Sequence, residues 1–254
     1  MFEEINNKKV LITGSSSGIG SEIAKIFAVN GAHVGIHYSN NLTGAEKTLK
    51  EIKKISGGGS VAKIFKGDLL DVETRDRLIS TFVDEFGGID VLINNAGACF
   101  DYKHFSELEE DPWDKTFTVN TKVPFCLSRD AFKFMKESSG GRIINITSVA
   151  VKYVGASSLH YAASKAALDV LTTGFAKEGA KYNILVNSIR CGVIRTPMHT
   201  KLDGYKEDSF QRRVGLIPVG HPGDPVDIAR MALFLAADSG KFITGQHFSV
   251  SGGD

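Results

Sequence analysis

A chain of 254 residues with 42% hydrophobic and 23% charged content is long enough for one substantial core and reads as an ordinary globular protein. Thirty basic against twenty-nine acidic residues leave a formal net charge of +1, which gives no electrostatic reason to expect nucleic acid or a membrane surface as partner. The three scattered cysteines (Cys99, Cys126, Cys191) form no CxxC pair, and neither a disulfide framework nor a metal site is expected.

In chain order, the start Met1-Phe2-Glu3-Glu4 is acidic, which is wrong for a secretory signal, and no apolar stretch approaches the length of a membrane span. A cytoplasmic location is the expectation. Short β-branched runs then recur between longer helix-like segments. They predict strands at Lys9–Thr13, Ala32–His37, Val61–Lys66, Ile89–Ile93, Arg142–Thr147, Ile184–Ile189 and His247–Val250. Helices are expected to begin near Ser21, Thr43, Val72, Pro112, Ser158 and Pro225, with Asp111-Pro112 and Asp224-Pro225 each supplying an N-cap and a first-turn proline. This alternation implies βαβ units, right-handed crossovers and a parallel sheet. The Gly57-Gly58-Gly59-Ser60 stretch reads as a helix-to-strand loop and not a linker, so residues 1–254 form one α/β domain.

The run Thr13-Gly14-Ser15-Ser16-Ser17-Gly18-Ile19-Gly20 joins the first strand to the first helix. Its GxxxGxG spacing differs from GxGxxG, but the physics is shared. Gly14 permits a tight turn, Gly18 lets backbone approach a pyrophosphate, and Gly20 lets the helix pack close to the strand. The helix N-terminus then offers free N–H groups to phosphate, and the three serines add hydroxyl donors. No Gly-Lys-Ser/Thr follows, so it is not a P-loop. Ligands of open parallel sheets bind at the carboxyl ends of the strands. Just past the proposed strands stand Gly14, Tyr38, Asp68, Asn94-Asn95-Ala96-Gly97, Ser148 and Arg190-Cys191-Gly192, a gathering of small and polar residues.

Tyr161-Ala-Ala-Ser-Lys165 sets a phenol and an ammonium four apart on one helix face. A nearby cation favours phenolate, which brings Tyr161 toward the range where general acid–base catalysis works. Ser148 is positioned to hydrogen-bond a substrate oxygen. Pro124 has no N–H to offer the Asn120 carbonyl, so a helix running through both is expected to kink there and free that carbonyl for a water near Lys165.

These residues resemble the short-chain dehydrogenase/reductase family over nearly the whole chain. The motifs are Thr13-Gly14-x3-Gly18-Ile19-Gly20, Asp68, Asn94-Asn95-Ala96-Gly97, Asn120, Ser148, Tyr161-x3-Lys165, Asn187, Thr196 and Ile243-Thr244-Gly245-Gln246. The resemblance implies a single-domain Rossmann fold with seven parallel strands and helices on both faces. It implies that Ser148 orients a carbonyl, Tyr161 passes the proton, Lys165 binds the nicotinamide ribose and lowers the phenol pKa, and Asn120 holds a relay water. Cofactor contacts are then expected at Gly14, Ser16, Ser17, Gly18, Ile19, Gly20, Tyr38, Ser39, Asn40, Asp68, Leu69, Asn95, Ala96, Gly97, Tyr161, Lys165, Cys191, Gly192, Ile194 and Thr196. Many members are tetramers, and small-residue faces around 112–137 and 158–180 suit a homotetramer or homodimer.

Two departures stand out. The family usually has Pro-Gly where this chain has Cys191-Gly192, which is expected to loosen the loop and places a thiol there, inert as the better reading. The chain also stops at Asp254, shortly after Gly252-Gly253, which weakens any carry-over of a tail-mediated subunit contact.

Relatives that prefer NAD carry an acidic residue at the end of the second strand. Tyr38 stands there, followed by Ser39 and Asn40, so NADP is expected over NAD, although no arginine lies nearby. Substrate choice is expected in the stretch from Met198 to His221, which includes Lys201, Leu202, Tyr205, Lys206, Phe210, Arg212 and Arg213. Similarity points toward 3-oxoacyl-carrier-protein reductases. The rivals are a sugar, polyol, steroid or small-ketone dehydrogenase of the same family, and a nucleotide sensor without catalysis. The spacing of the glycine turn disfavours an epimerase-type relative.

Overall fold

The computed structural model of the protein describes residues 2–57, 59–154, 158–197 and 207–254, the side chain of Ser209 excepted. The apolar runs form β1 (Lys9–Ile12), β2 (His33–Tyr38), β3 (Ala62–Lys66), β4 (Val91–Asn94), β5 (Gly141–Ser148), β6 (Ile184–Cys191) and β7 (His247–Val250). They pair in parallel in the order β3-β2-β1-β4-β5-β6-β7. All seven expected strands are present, with ends shifted by two residues or fewer.

Side chains alternate between two dry faces, as a parallel sheet covered by crossover helices requires. Val10, Ile12, Val91 and Ile93 face one apolar cluster, while Leu11 and Leu92 face the other. Helices α1 (Gly18–Val29) and α2 (Leu42–Ile55) cover the first face through Ile23, Phe27, Ala45 and Ile52. The second face is covered by α3 (Val72–Phe86) through Leu78 and Phe82. Full burial of side chains such as Phe27 and Phe82 contributes roughly 1.5–3 kcal/mol each.

Helix ends follow local chemistry. Asn41 caps α2 by accepting from Gly44 N–H at 3.1 Å, and Asp71 caps α3 by accepting from Thr74 N–H at 2.8 Å. The next helix, α4 (Glu110–Phe117), corrects an expectation: Glu109 is its N-cap, and Asp111-Pro112 lies inside the first turn. Proline is tolerated there because the first four N–H groups of a helix have no partner within it. A π turn over Thr118–Lys122 then leads into α5 (Val123–Glu137). After α6 (Leu159–Gly179), a polar helix α7 (Glu207–Val214) stands where the sequence offers no apolar period, and α8 (Pro225–Ala236) follows. Asp224 caps α8 as expected, and the Asp227 carboxylate accepts from Asp224 N–H at 2.9 Å. Of the expected substrate segment, residues 198–206 lie outside the described residues, as does Gly58 of the glycine-rich loop. Among the described residues no helix is long and apolar enough to cross a membrane.

The chain runs outward from β1 to β3, returns, and runs outward again from β4 to β7. The carboxyl ends of β1 and β4 therefore face connections that diverge, which opens a crevice between them.

Candidate active site

The crevice is built by hydrogen bonds between the two loops that flank it. Thr13 Oγ1 accepts from Asn95 N–H and Ala96 N–H, each at 3.0 Å, and Asn95 Nδ2 donates to Thr13 O at 2.8 Å and Gly14 O at 3.1 Å. Gly14 holds φ +64°, a left-handed backbone that side chains disfavour, and a Cβ there would also come within 3.0 Å of the Ala96 Cα. Ser16, Ser17, Gly18 and Ile19 line the start of α1 with Gly20 behind them, and Thr196 stands over Gly18. Ser15 differs from expectation. Its hydroxyl donates to Ile12 O at 2.8 Å and accepts from His37 N–H at 3.0 Å, so it pins the turn instead of facing phosphate.

Asn94 turns the other way, because successive strand residues alternate faces. Its Nδ2 donates to Asn145 Oδ1 at 2.8 Å and Ser128 Oγ at 3.0 Å within a buried network under α5 and α6. Asn187 has a comparable structural role, donating to Ile243 O at 2.8 Å and accepting from Gln246 N–H at 3.0 Å ahead of β7.

Ser148 ends β5, and the strand register sets it beside Cys191 at the end of β6. Its hydroxyl accepts from Ala150 N–H at 3.1 Å and hydrogen-bonds to the Tyr161 phenol. Lys165, one turn along α6, is buried, donates to Ile146 O at 2.9 Å, and lies 5.8 Å from the Tyr161 ring centroid. Asn120 reaches the same place from the π turn, where Val123 N–H bonds Thr118 O and the helix departs from a straight α course. Its contacts run through the side chain: Oδ1 accepts from Ala98 N–H at 3.0 Å, and Nδ2 donates to Ala98 O at 2.7 Å and Ser164 Oγ at 3.0 Å. Ser148, Tyr161, Lys165 and Asn120 thus converge from three segments of chain far apart in sequence.

Burial dominates the electrostatics of this cluster. It pushes the Tyr161 phenol above its usual value, against the Ser148 hydrogen bond that favours phenolate. It lowers Lys165 to about 8, and it pushes the Cys191 thiol up to about 12. The phenol therefore keeps its proton, and the expected pull of Lys165 is not among the influences that shift it. Cys191 is a buried, unreactive thiol.

The crevice suits a dinucleotide. Ser17 is extended at the start of α1 and makes no side-chain cap bond, so first-turn N–H groups remain for an outside acceptor such as phosphate. A Cβ on Gly97 would lie 2.7 Å from Asn120 Oδ1 and 3.0 Å from Lys165 Nζ, so bare backbone is needed beside the cluster. Gly97→Ala is accordingly expected to displace one of those groups and cut turnover ~100-fold, as misplacements near 1 Å do, with wild-type-like circular dichroism. Near-normal turnover would rule this spacing out as critical.

The Tyr38 ring and Leu69 are buried in the apolar clusters, leaving exposed Ser39, Asn40 and Asp68 as the polar groups at this rim. Gly192 packs against Ser251, and buried Ile194 bridges to Gly223. Two neighbours were missed. The register brings exposed Lys66 beside Tyr38, and His37 lies under the glycine turn. Only strand pairing reveals where they stand.

A family model described as short chain dehydrogenase matches residues 8–206. The 3alpha-hydroxysteroid dehydrogenase of Mediterraneibacter gnavus is 34% identical over 252 residues, covering 99% of this chain and 98% of that protein. The 3-oxoacyl-[acyl-carrier-protein] reductase FabG of Thermotoga maritima is 36% identical over 256 residues, covering 98% of each. Among solved structures, a dehydrogenase/reductase from Sinorhizobium meliloti 1021 superposes with a TM-score of 0.91 at 34% identity, over 100% of this chain and 98% of that one. Acetoin dehydrogenase YohF from Salmonella typhimurium gives 0.86 at 33% identity, over 97% and 95%.

Proposed function

This chain belongs to the short chain dehydrogenase family, and from that premise we propose that Ser148, Tyr161 and Lys165 interconvert a carbonyl and an alcohol with a nicotinamide cofactor bound at the glycine turn. The observation that carries this is the convergence of those three side chains at the edge of the β1/β4 crevice. When bound, the nicotinamide supplies or accepts hydride. Gly14, Ser16, Ser17, Gly18, Ile19 and Gly20 hold its phosphates, and Asn95, Ala96 and Gly97 leave room for its flat parts. Ser148 donates a hydrogen bond to the substrate oxygen. Tyr161 gives its Oη proton to that oxygen in reduction and takes it back in oxidation. The Lys165 charge favours the phenolate that this transfer leaves, and the Asn120 side chain holds the Ala98 backbone and α6 in place around it.

The cofactor preference we propose is NADP over NAD. The rim after β2 carries Ser39 and Asn40 and no carboxylate, and Lys66 lies one strand away. A charge-assisted bond to the 2′-phosphate is expected to give NADPH a KM about tenfold below that of NADH. Oxidation of each by the purified protein with an acetoacetyl thioester tests cofactor and substrate together. Equal KM values would remove the NADP preference, and no turnover with either cofactor would remove the thioester.

A second substrate reading has its own support. A groove of about 510 Å³ beside the start of α6 is lined by Phe105, Leu108, Trp113 and Leu159, with Glu109, Glu110 and Asp114 at its rim. Such a surface suits an apolar substrate without negative charge, such as a steroid or small ketone, better than an acidic carrier. Exposed Phe125 and Val170 on α5 and α6 support association through these helices, as a homotetramer or homodimer. The free thiols are in keeping with a reducing, cytoplasmic setting.

A further inference from the structure

His37, near the end of β2, is 2% exposed and takes no part in the chemistry above. Its ring bridges two turns that come from different strands. Nδ1 lies 3.2 Å from the Gly14 amide nitrogen, and Nε2 lies 3.0 Å from the Gly67 carbonyl oxygen. A backbone N–H can only donate and a carbonyl can only accept, so the partners dictate where the proton sits. Nδ1 accepts and Nε2–H donates, which makes the ring neutral and selects one tautomer. The neighbouring backbone is tied as well: Ser15 N–H donates to His37 O at 2.9 Å, and Gly67 N–H donates to Tyr38 O at 2.9 Å.

Gly14 opens the glycine turn. Gly67 leads into Asp68, whose Oδ1 accepts from Leu70 N–H at 3.0 Å and shapes the turn toward α3. We propose that His37 is a positioning residue whose neutral imidazole sets the separation of the glycine turn from the Gly67–Asp68 turn, and thereby the affinity for the dinucleotide. This rests on the reading that a dinucleotide binds at the glycine turn.

Protonation of Nδ1 would set one N–H against another and drive the turns apart. The charges around the ring are few. The glycine turn contributes none, and β1 carries only Lys9, at its opposite end. At the end of β3, exposed Lys66 precedes Gly67 and Asp68; among the described residues Asp68 is the one group whose charge acts on the ring, and it favours the cation. At the start of α3, Asp71 and Glu73 are exposed and Arg75 is paired with Asp76. Burial outweighs the Gly67 carbonyl and Asp68, which both favour the cation, and lowers the imidazole to about 4. The strut is therefore intact at neutral pH and released in acid.

Two measurements decide. On the protein without nucleotide, imidazole nitrogen NMR and Gly14 amide exchange are followed from neutral pH to about pH 3.5, through the range in which the ring takes up its proton. A single Nε2–H tautomer, with Gly14 protection falling as His37 titrates, is expected. A charged or Nδ1–H ring at neutral pH, or an unprotected Gly14 amide, overturns the proposal. In fluorescence titrations at neutral pH, His37→Ala is expected to weaken NADPH binding about tenfold, and His37→Asn, which offers both an acceptor and a donor, much less. His37→Asn should also lose the His37-dependent weakening that wild type shows in acid. Comparing the two proteins cancels titration of the probe's own phosphate. Equal affinity and equal pH profiles in wild type and His37→Asn overturn the proposal even if His37→Ala does not fold. If wild type binds neither NADPH nor NADH, the nucleotide reading fails and takes the affinity part with it, while the NMR result still judges the strut itself.

Discussion

Tyr161→Phe is expected to lower turnover by about 10²–10⁴-fold while NADPH still binds. The substitution removes one oxygen and leaves the ring, so α6 keeps its packing and Lys165 keeps its bond to Ile146 O. What disappears is the group that moves the proton and that Ser148 faces. The measurement is initial rate with saturating NADPH beside a fluorescence titration of the cofactor. A variant retaining a tenth or so of wild-type turnover would move the proton transfer to another group, since loss of a general acid costs at least about 10². Loss of NADPH binding together with turnover would mean that the phenol serves mainly to hold the cofactor.

The second large effect is on stability. Asp169, two turns beyond Tyr161 on α6, is buried and accepts from Ser188 Oγ at 2.8 Å and Arg190 Nε at 2.8 Å, with His247 Nδ1 at 3.3 Å. This one carboxylate ties α6 to β6 and β7. Asp169→Ala leaves the Arg190 guanidinium unpaired at 19% side-chain exposure. Breaking a buried pair from one side costs about 3–5 kcal/mol, because the remaining charge keeps its desolvation penalty. For a chain of this size that lowers Tm by on the order of 10 °C. Asp169→Ala with Arg190→Met is expected to recover much of the loss, since the orphaned charge goes too. A single variant melting within about 2 °C of wild type would show that water solvates Arg190 well enough to replace its partner.

Much of the framework was legible because its signals are local. The β-branched runs between turn residues mark the strands, and Asp224-Pro225 marks the start of α8. Asp111-Pro112 misled by two residues for a physical reason: the whole first turn tolerates proline, so proline marks a helix start without marking its cap. The polar helix Glu207–Val214 was missed because periodicity detects a buried face, and this segment has few apolar residues to repeat. At the site, Pro124 correctly signalled a break near Asn120. The break takes the form of a π turn, and the Asn120 side chain makes the contacts seen there.

By itself the sequence determined the strand–helix alternation, the glycine turn and the placing of Tyr161 and Lys165 on one helix face. Each follows from residues within one or two turns of each other, where backbone geometry alone sets the spacing. Only the tertiary structure decided that Ser148 stands beside Cys191, that Ser15 faces inward, and that burial governs the Tyr161 and Lys165 protons. The same holds for His37, whose two partners come from β1 and β3 by way of the sheet register. These facts depend on which strands pair and how deeply each group is desolvated, and both are set by packing between distant parts of the chain.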